Sequence, residues 1–358
     1  YIQKTILRLL RVRASMSNKQ LSNVGLYTRT LSGHRQSYLD FVKQNFGGEK
    51  IHGLTLFLKK GPVFFLMIED NFMLYFFVAC IRAFLGKKTA GLLFRPKPAL
   101  QANNFKLKIK LHLLKLLKKN SKVRTLTIVP VPLEPEIAEI VDDWIYDFQL
   151  WDITNEQKKT FEQLKYGMKP SIDLPEYQIV HDIKKYANGR PIVIALGVQN
   201  KAKGTHILAD NIQYFFENNY CVVVAGRFSS DSQIAKKSLE EGGTLIFDRF
   251  MTDEEILGLY AAADVVWCFY DPSYDQASGI LGRAVQLGIL PIVRLGSFSE
   301  KFCLSEDINH LASQSNQLEH ALKKISHQAY LDNSKIQENL KKVSLRHLNA
   351  VFSSDGEV

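Results

Sequence analysis

From Ala263 to Ser297 the chain reads ADVVWCFYDPSYDQASGILGRAVQLGILPIVRLGS, and no other stretch restricts its fold as tightly. VVWCFY is a short apolar run rich in β-branched and aromatic residues, as a strand covered on both faces requires. Ser278-Gly279 opens a helix, Ile280 to Leu287, and Gly288 closes it before LPIV begins a second buried strand. A buried strand, a polar loop, a helix and another buried strand make a βαβ unit. The helix N-terminus then stands outside the carboxyl ends of parallel strands, where a phosphate or other anion binds readily. This geometry suggests a nucleotide-linked substrate before any catalytic residue is named.

The same alternation runs along most of the chain. VGLYTR (24–29), GLTLFL (53–58), PVFFLMI (62–68), KTAGLLF (88–94) and VRTLTIVPV (123–131) read as strands. Helices are predicted between them at 36–46, 72–85 and 106–119. From Asp152 to Pro175 the pattern turns polar and loses its strands. A second series then follows, with PIVIALG, CVVVAGR, TLIFDRF, VVWCFY and PIVRLG as strands and helices at 206–218, 232–241, 254–262 and 280–287. Residues 317–351 read as an amphipathic helical end. At 358 residues the chain exceeds what one core usually supports. The expected architecture is α/β, with two Rossmann-like, doubly wound parallel-sheet domains facing across a cleft. The expected divisions are a basic segment at 1–21, a first domain at 22–165, a second at 166–325, and a C-terminal helix with a polar tail at 326–358 that could pack back on the first domain.

Composition excludes several classes. The four cysteines, Cys80, Cys221, Cys268 and Cys303, stand singly in apolar settings. Neither a zinc cluster nor a disulfide framework is supported, so a reducing, cytoplasmic setting is expected. The net charge of +10 lies mostly before residue 125 and suits nucleic acid, anionic lipid or an acidic substrate. No nucleic-acid motif accompanies it. The apolar run 63–80 is interrupted by Glu69-Asp70-Asn71, which argues against a membrane span. FKLKIKLHLLKLLKKNSK (105–122) is a basic amphipathic helix, suited either to a sheet face with solvated lysines or to an anionic membrane surface.

Four ordered landmarks carry a family resemblance: LGVQNKAKGTHIL, VVVAGRF, TDEEILGLYAAADVVW and SYDQASGILGRAVQLGILPIV, within 194–296. Their order resembles the donor-binding domain of GT-B glycosyltransferases, particularly family 4. The resemblance implies a retaining glycosyltransferase that moves a sugar from a nucleotide-sugar donor to a glycan or lipid-linked acceptor, with no cofactor and no metal. In the implied donor site, Gly197 ends the first strand and Lys203 contacts the diphosphate. The amides of Ser278, Gly279 and Ile280 bind phosphate; the family's usual Arg is Val198 here, and Arg227 either supplies that charge or is a surface or salt-bridge residue. The E-x7-E pattern falls on Asp275, which would contact the transferred sugar, and on Arg283. An arginine accepts no hydrogen bond, so Arg283 would pair with Asp275, contact phosphate or serve an acidic sugar. The alternative for Ser278 is a plain helix cap.

In the first half, Gly33 and His34 occupy the place of the family's phosphate-approaching loop. Asp70 and Arg95, at strand ends, would line the catalytic and acceptor side, while Glu69 or Asp70 could simply cap the next helix. The resemblance places the activity in cell-surface polysaccharide or glycoconjugate synthesis, in the cytoplasm or on the inner membrane face. The substitutions at 198 and 283 leave open a non-catalytic partner subunit of the same fold.

Overall fold

A computed structural model describes residues 24–30, 35–101, 104–167, 175–315, 317–318, 322 and 332–353. Packing divides the chain into two units: one runs to Phe148 and takes in the chain again from Leu340, and the other is Gln149–Asn339. The division falls ahead of the polar segment at 152–175, because the helix that follows Asp152 packs within the second unit.

The first unit contains β1 (Gly25–Tyr27), α1 (Arg35–Phe46), β2 (Glu49–Lys50), α2 (Thr55–Leu58), β3 (Val63–Phe65), α3 (Phe72–Phe84), β4 (Thr89–Leu93), α4 (Pro96–Gln101), α5 (Phe105–Lys118), β5 (Val123–Thr127) and β6 (Asp143–Trp144). All six strands are parallel, in the order β2-β1-β3-β4-β5-β6. Every residue of β3 and β4 is buried, which explains why their sequences are continuous apolar runs rather than alternating ones. The predicted strand at 53–58 is overturned. Gly53 turns the chain at a φ of 56°, Thr55–Leu58 is a short helix, and Glu49–Lys50 takes the strand position. The alternation L-T-L-F-L misled, because only Leu56 is buried there while Leu54 and Leu58 face outward.

The second unit contains α6 (Asn155–Tyr166), α7 (Pro175–Ala187), β7 (Ile192–Leu196), α8 (Thr205–Asp210), α9 (Ile212–Glu217), β8 (Cys221–Ala225), α10 (Gln233–Glu241), β9 (Leu245–Phe247), α11 (Asp253–Ala262), β10 (Val265–Cys268), α12 (Gly279–Gln286), β11 (Leu290–Arg294), α13 (Phe298–Ser305) and β12 (Leu311–Ser313). Its sheet is parallel throughout, in the order β12-β11-β10-β7-β8-β9. The single helix expected at 206–218 is two helices that meet at Asn211. On one side of the sheet, Trp267 and Phe269 stack at 5.3 Å over a core that includes Leu208, Phe215 and Val222. Burying each such side chain contributes about 1.5–3 kcal/mol.

The last helix, α14 (Ser334–Phe352), belongs to the first unit from Leu340 onward. Leu340, Leu348 and Phe352 are buried, and Phe352 meets Phe46 and Phe64 edge-on at 5.0 and 5.4 Å. Ser344 Oγ accepts the Tyr146 amide at 2.9 Å. His347 Nδ1 lies 2.9 Å from Asp143 Oδ1. That partner holds the imidazole above its ordinary value, against the opposing effect of burial.

Candidate functional site

The second sheet reverses its strand order between β7 and β10. Loops leaving the carboxyl ends of those two strands part there, and the crevice so opened is where doubly wound sheets take ligands. Gly197 ends β7 at a φ of 86°, and a Cβ on it would come within 3.3 Å of Ile280 Cδ1. The loop continues into a turn, Lys201–Lys203, capped by Asn200, whose Oδ1 accepts the Lys203 amide at 2.8 Å. Gly204 follows at a φ of 73°, and a Cβ there would overlap the carbonyl oxygen of Phe269. Only glycine lets this turn lie on the end of β10. The Asp271 amide fastens the same contact, donating to Ala202 O at 3.1 Å.

This seating brings Lys203 against two aromatic rings. Its Nζ stands 4.4 Å from the Tyr270 ring centre and 4.3 Å from that of Tyr274, a cation–π arrangement on two sides. Lys203 is half-buried, and no carboxylate among the described residues forms an ion pair with it. Tyr270 is fully buried, and burial drives its hydroxyl well above the usual phenol range. The neutral hydroxyl shares a 2.6 Å hydrogen bond with Ser278 Oγ.

That bond decides the state of α12. Ser278 occupies the N-cap position, but its side chain makes no cap hydrogen bond and its hydroxyl points to Tyr270 instead. The plain-cap alternative for Ser278 therefore does not hold. Gly279 and Ile280 open the helix with amides that carry partial positive charge and no side-chain cap. Gly279 is required for packing, since a Cβ would overlap the side-chain oxygen of Gln149. A lysine without a carboxylate and an uncapped helix start thus share one support, Tyr270.

Asp275 and Arg283 do not pair with each other. Asp275 Oδ1 accepts the Phe298 amide at 2.7 Å and Arg294 Nη2 at 3.3 Å. Arg294 Nε also donates to Tyr270 O at 3.1 Å, so Asp275 ties the start of α13 to the end of β11 and to the Tyr270 backbone. Arg283 turns elsewhere: its Nη2 lies 3.0 Å from Asp152 Oδ1 and 3.1 Å from Oδ2. Arg227 is exposed one strand away, after β8, and its carbonyl accepts the Gln199 amide at 2.9 Å. Tyr270, Tyr274, Asp152 and Arg294 were not picked out from the sequence. The two tyrosines, four apart around Asp-Pro-Ser, were the available signal; Asp152 and Arg294 gain their roles only through tertiary contact.

In the first unit the order reverses between β1 and β3. Asp70, just after β3, accepts from Arg35 Nε at 2.9 Å and Nη2 at 2.7 Å, a two-pronged pair. Arg29, after β1, donates to the Asp70 carbonyl at 3.4 Å. Neither acid caps α3; Asn71 does, its Oδ1 accepting the Leu74 amide at 3.2 Å. Glu69 reaches across to the Arg95 amide at 2.8 Å, joining the ends of β3 and β4, and its other oxygen is buried without a partner. Burial holds the Glu69 carboxyl above the usual range, outweighing the Arg95 amide and nearby Lys110. The Arg95 residue is exposed. Gly33 and His34 lie outside the described residues.

No family model and no curated protein sequence matches the chain. Solved structures do. HepE of Anabaena, solved with UDP, is 10% identical, with a TM-score of 0.57 over 92% of this chain and 95% of that one. A glycosyltransferase of Rickettsia africae is 10% identical, with a TM-score of 0.52 over 92% of this chain and 93% of that one. A UDP-forming α,α-trehalose-phosphate synthase of Burkholderia xenovorans is 12% identical, with a TM-score of 0.53 over 93% and 81%. The likeness is one of fold: two six-stranded parallel sheets, each flanked by helices, match the paired Rossmann-like units of the GT-B fold.

Proposed function

We propose that the chain is a glycosyltransferase that takes a sugar from a nucleoside-diphosphate donor bound at the β7–β10 switch point. One observation carries the proposal. The Lys203 ammonium and the uncapped first turn of α12 are both organised by Tyr270, the first through its ring and the second through its hydroxyl. A departing diphosphate gains negative charge, and fixed donors are most effective where charge develops. Lys203 and the amides of Gly279 and Ile280 supply such donors without a bound metal, and exposed Arg227 adds a second cation. Asp275, held by Arg294 and the Phe298 amide, would accept hydrogen bonds from the sugar hydroxyls.

In the first unit, Asp70 with Arg35, and Arg95, form the end proposed to meet the acceptor. The UDP and UDP-glucose complexes of HepE support a nucleotide-sugar as donor. The family 4 resemblance adds retention of configuration and a glycan or lipid-linked acceptor of cell-surface glycoconjugate synthesis.

The test is a thermal-shift panel of UDP, GDP, ADP, CMP and their common sugar conjugates on the wild type and on Lys203→Ala. Ligand at a hundred times its Kd should add about 2.7 kcal/mol of stability. A shift with one nucleotide family that shrinks in the variant supports the proposal. No shift with any nucleotide would sink it.

A further inference from the structure

Helix α3 is turned inside out relative to an ordinary surface helix. Its only charged residue, Arg82, is completely buried. There the guanidinium donates to the carbonyls of Leu56, Lys59, Gly61 and Lys88 and to Thr89 Oγ1. The outward face carries Met73, Phe77, Ile81 and Phe84, all exposed, with Phe84 at 91%. Helices apolar on every side are normally covered by protein or lipid, and no described element covers this one.

The neighbouring helices extend the same surface. The strands β3, β4 and β5 lie side by side in sequence order, so right-handed crossovers place α3 and α5 on one face of the sheet. Contact confirms it: Lys110 Nζ of α5 stands 5.4 Å from the Phe72 ring centre. Between the two helices an open groove of about 470 Å³ is lined by Cys80, Ala83, Leu116 and Leu117, with Lys119 and Asn120 at its polar end. On α5, Phe105, Ile109 and Leu116 are exposed at i, i+4 and i+11, a single stripe along the helix. On the other flank Arg82 and Lys87 hold the carbonyls of α2; Leu58 of that helix and Leu54 just before it are also exposed. Lys60, Lys106, Lys108 and Lys119 are exposed around this apolar ground. Between Asp70 and Glu134 the chain contains no acidic residue.

We propose that this three-helix face docks on an anionic lipid bilayer surface, its apolar side chains entering the headgroup boundary and its lysines meeting lipid phosphates. Charge complementarity selects this occupant. A protein partner would also cover apolar residues, but a rim of lysines from a stretch with no acid of its own, where Glu49 and Glu139 are already engaged by Lys59 and Lys115, fits a continuous sheet of negative charge. No helix among the described residues is long and apolar enough to cross a membrane, so the mode is peripheral. The inference goes beyond the proposed glycosyl transfer and does not depend on it.

The test is co-sedimentation of the full chain with phosphatidylcholine vesicles, with and without phosphatidylglycerol, at two salt concentrations. The wild type should bind only the anionic vesicles, and less at high salt. Phe77→Ser with Phe84→Ser should weaken binding about ten- to a hundredfold, and Lys108→Glu with Lys119→Glu should also weaken it. Both pairs are exposed, so circular dichroism should be unchanged. Wild-type failure to bind anionic vesicles would overturn the proposal, as would binding indifferent to the phenylalanine pair. A dimer by light scattering that Phe84→Ser dissociates, with no vesicle binding, would assign the face to a second copy instead. Nucleotide thermal shifts on the same variants should match the wild type, which separates failure here from failure of the donor site.

Discussion

Helix α3 and the part of α11 beyond its acidic first turn are both apolar, yet they are housed differently. α11 buries Leu259, Tyr260, Ala261 and Ala262 beneath a second layer formed by α6 and α7. Gly258 is pressed so closely that a Cβ would lie 2.6 Å from Glu176 O and 2.7 Å from Ile179 Cγ2. Lys165 of α6 donates to the Ala263 carbonyl at 2.8 Å, just past the helix. α3 has no such layer among the described residues, and its one charge points inward. The contrast shows that apolar content states that a helix needs cover, while only tertiary structure states whether the chain provides it.

The largest effect should come from the buried charge of α3. Arg82→Met removes a donor from four carbonyls and a hydroxyl, of which Lys88 O keeps the Val63 amide, and unmade buried hydrogen bonds cost about 1–3 kcal/mol each. Even with partial relaxation, denaturant unfolding should show a loss of about 3 kcal/mol or more; an unchanged midpoint would mean that α3 is not held by its arginine. Next is Gly258→Val, which must push α7 off α11 and should cost about 1–3 kcal/mol. Phe77→Ser on the uncovered helix should stay within about 0.5 kcal/mol. If these two changes had equal effects on stability, the comparison between covered and uncovered helices would fail.

Smaller effects are read through pH. Burial raises the Glu69 carboxyl above its ordinary value, so the fold favours its protonated form. That contribution is complete below the ordinary carboxylate range and is lost as pH rises through the raised value. Glu69→Gln keeps an acceptor for the Arg95 amide and should flatten this fall, measured as melting temperature against pH. His347, also raised, follows the same sign: its contribution is complete below the ordinary imidazole range and is lost as pH climbs through the raised value. His347→Asn should remove that slope in the first unit; an identical slope would assign it to other groups.

The strands were legible because parallel strands covered on both faces write themselves as apolar runs, as in VFF of β3 and VVWC of β10. The turn before Gly204 and the start of α12 were legible for a related reason: a turn packed on a strand end demands glycine at 204, and a helix start is punctuated locally. Other parts were not written locally. β6 is two residues long, too short for periodicity, and 53–58 mimicked a strand while exposing two of its leucines. Arg283 stands where the resemblance implies an acid, and the sequence offers it Asp275, a phosphate or an acidic sugar as partners. The structure gives Arg283 to Asp152, from a segment 131 positions away, and no local pattern could encode that.

The most direct test of the central claim is nucleoside-diphosphate release from UDP-glucose, GDP-mannose and ADP-glucose by the full chain, compared with Lys203→Ala. The account predicts release from one donor, slowed about tenfold or more in the variant, as expected for loss of a charge-assisted contact worth about 1.5–3 kcal/mol, with melting temperature unchanged. Release from no donor, together with no nucleotide binding, would contradict it.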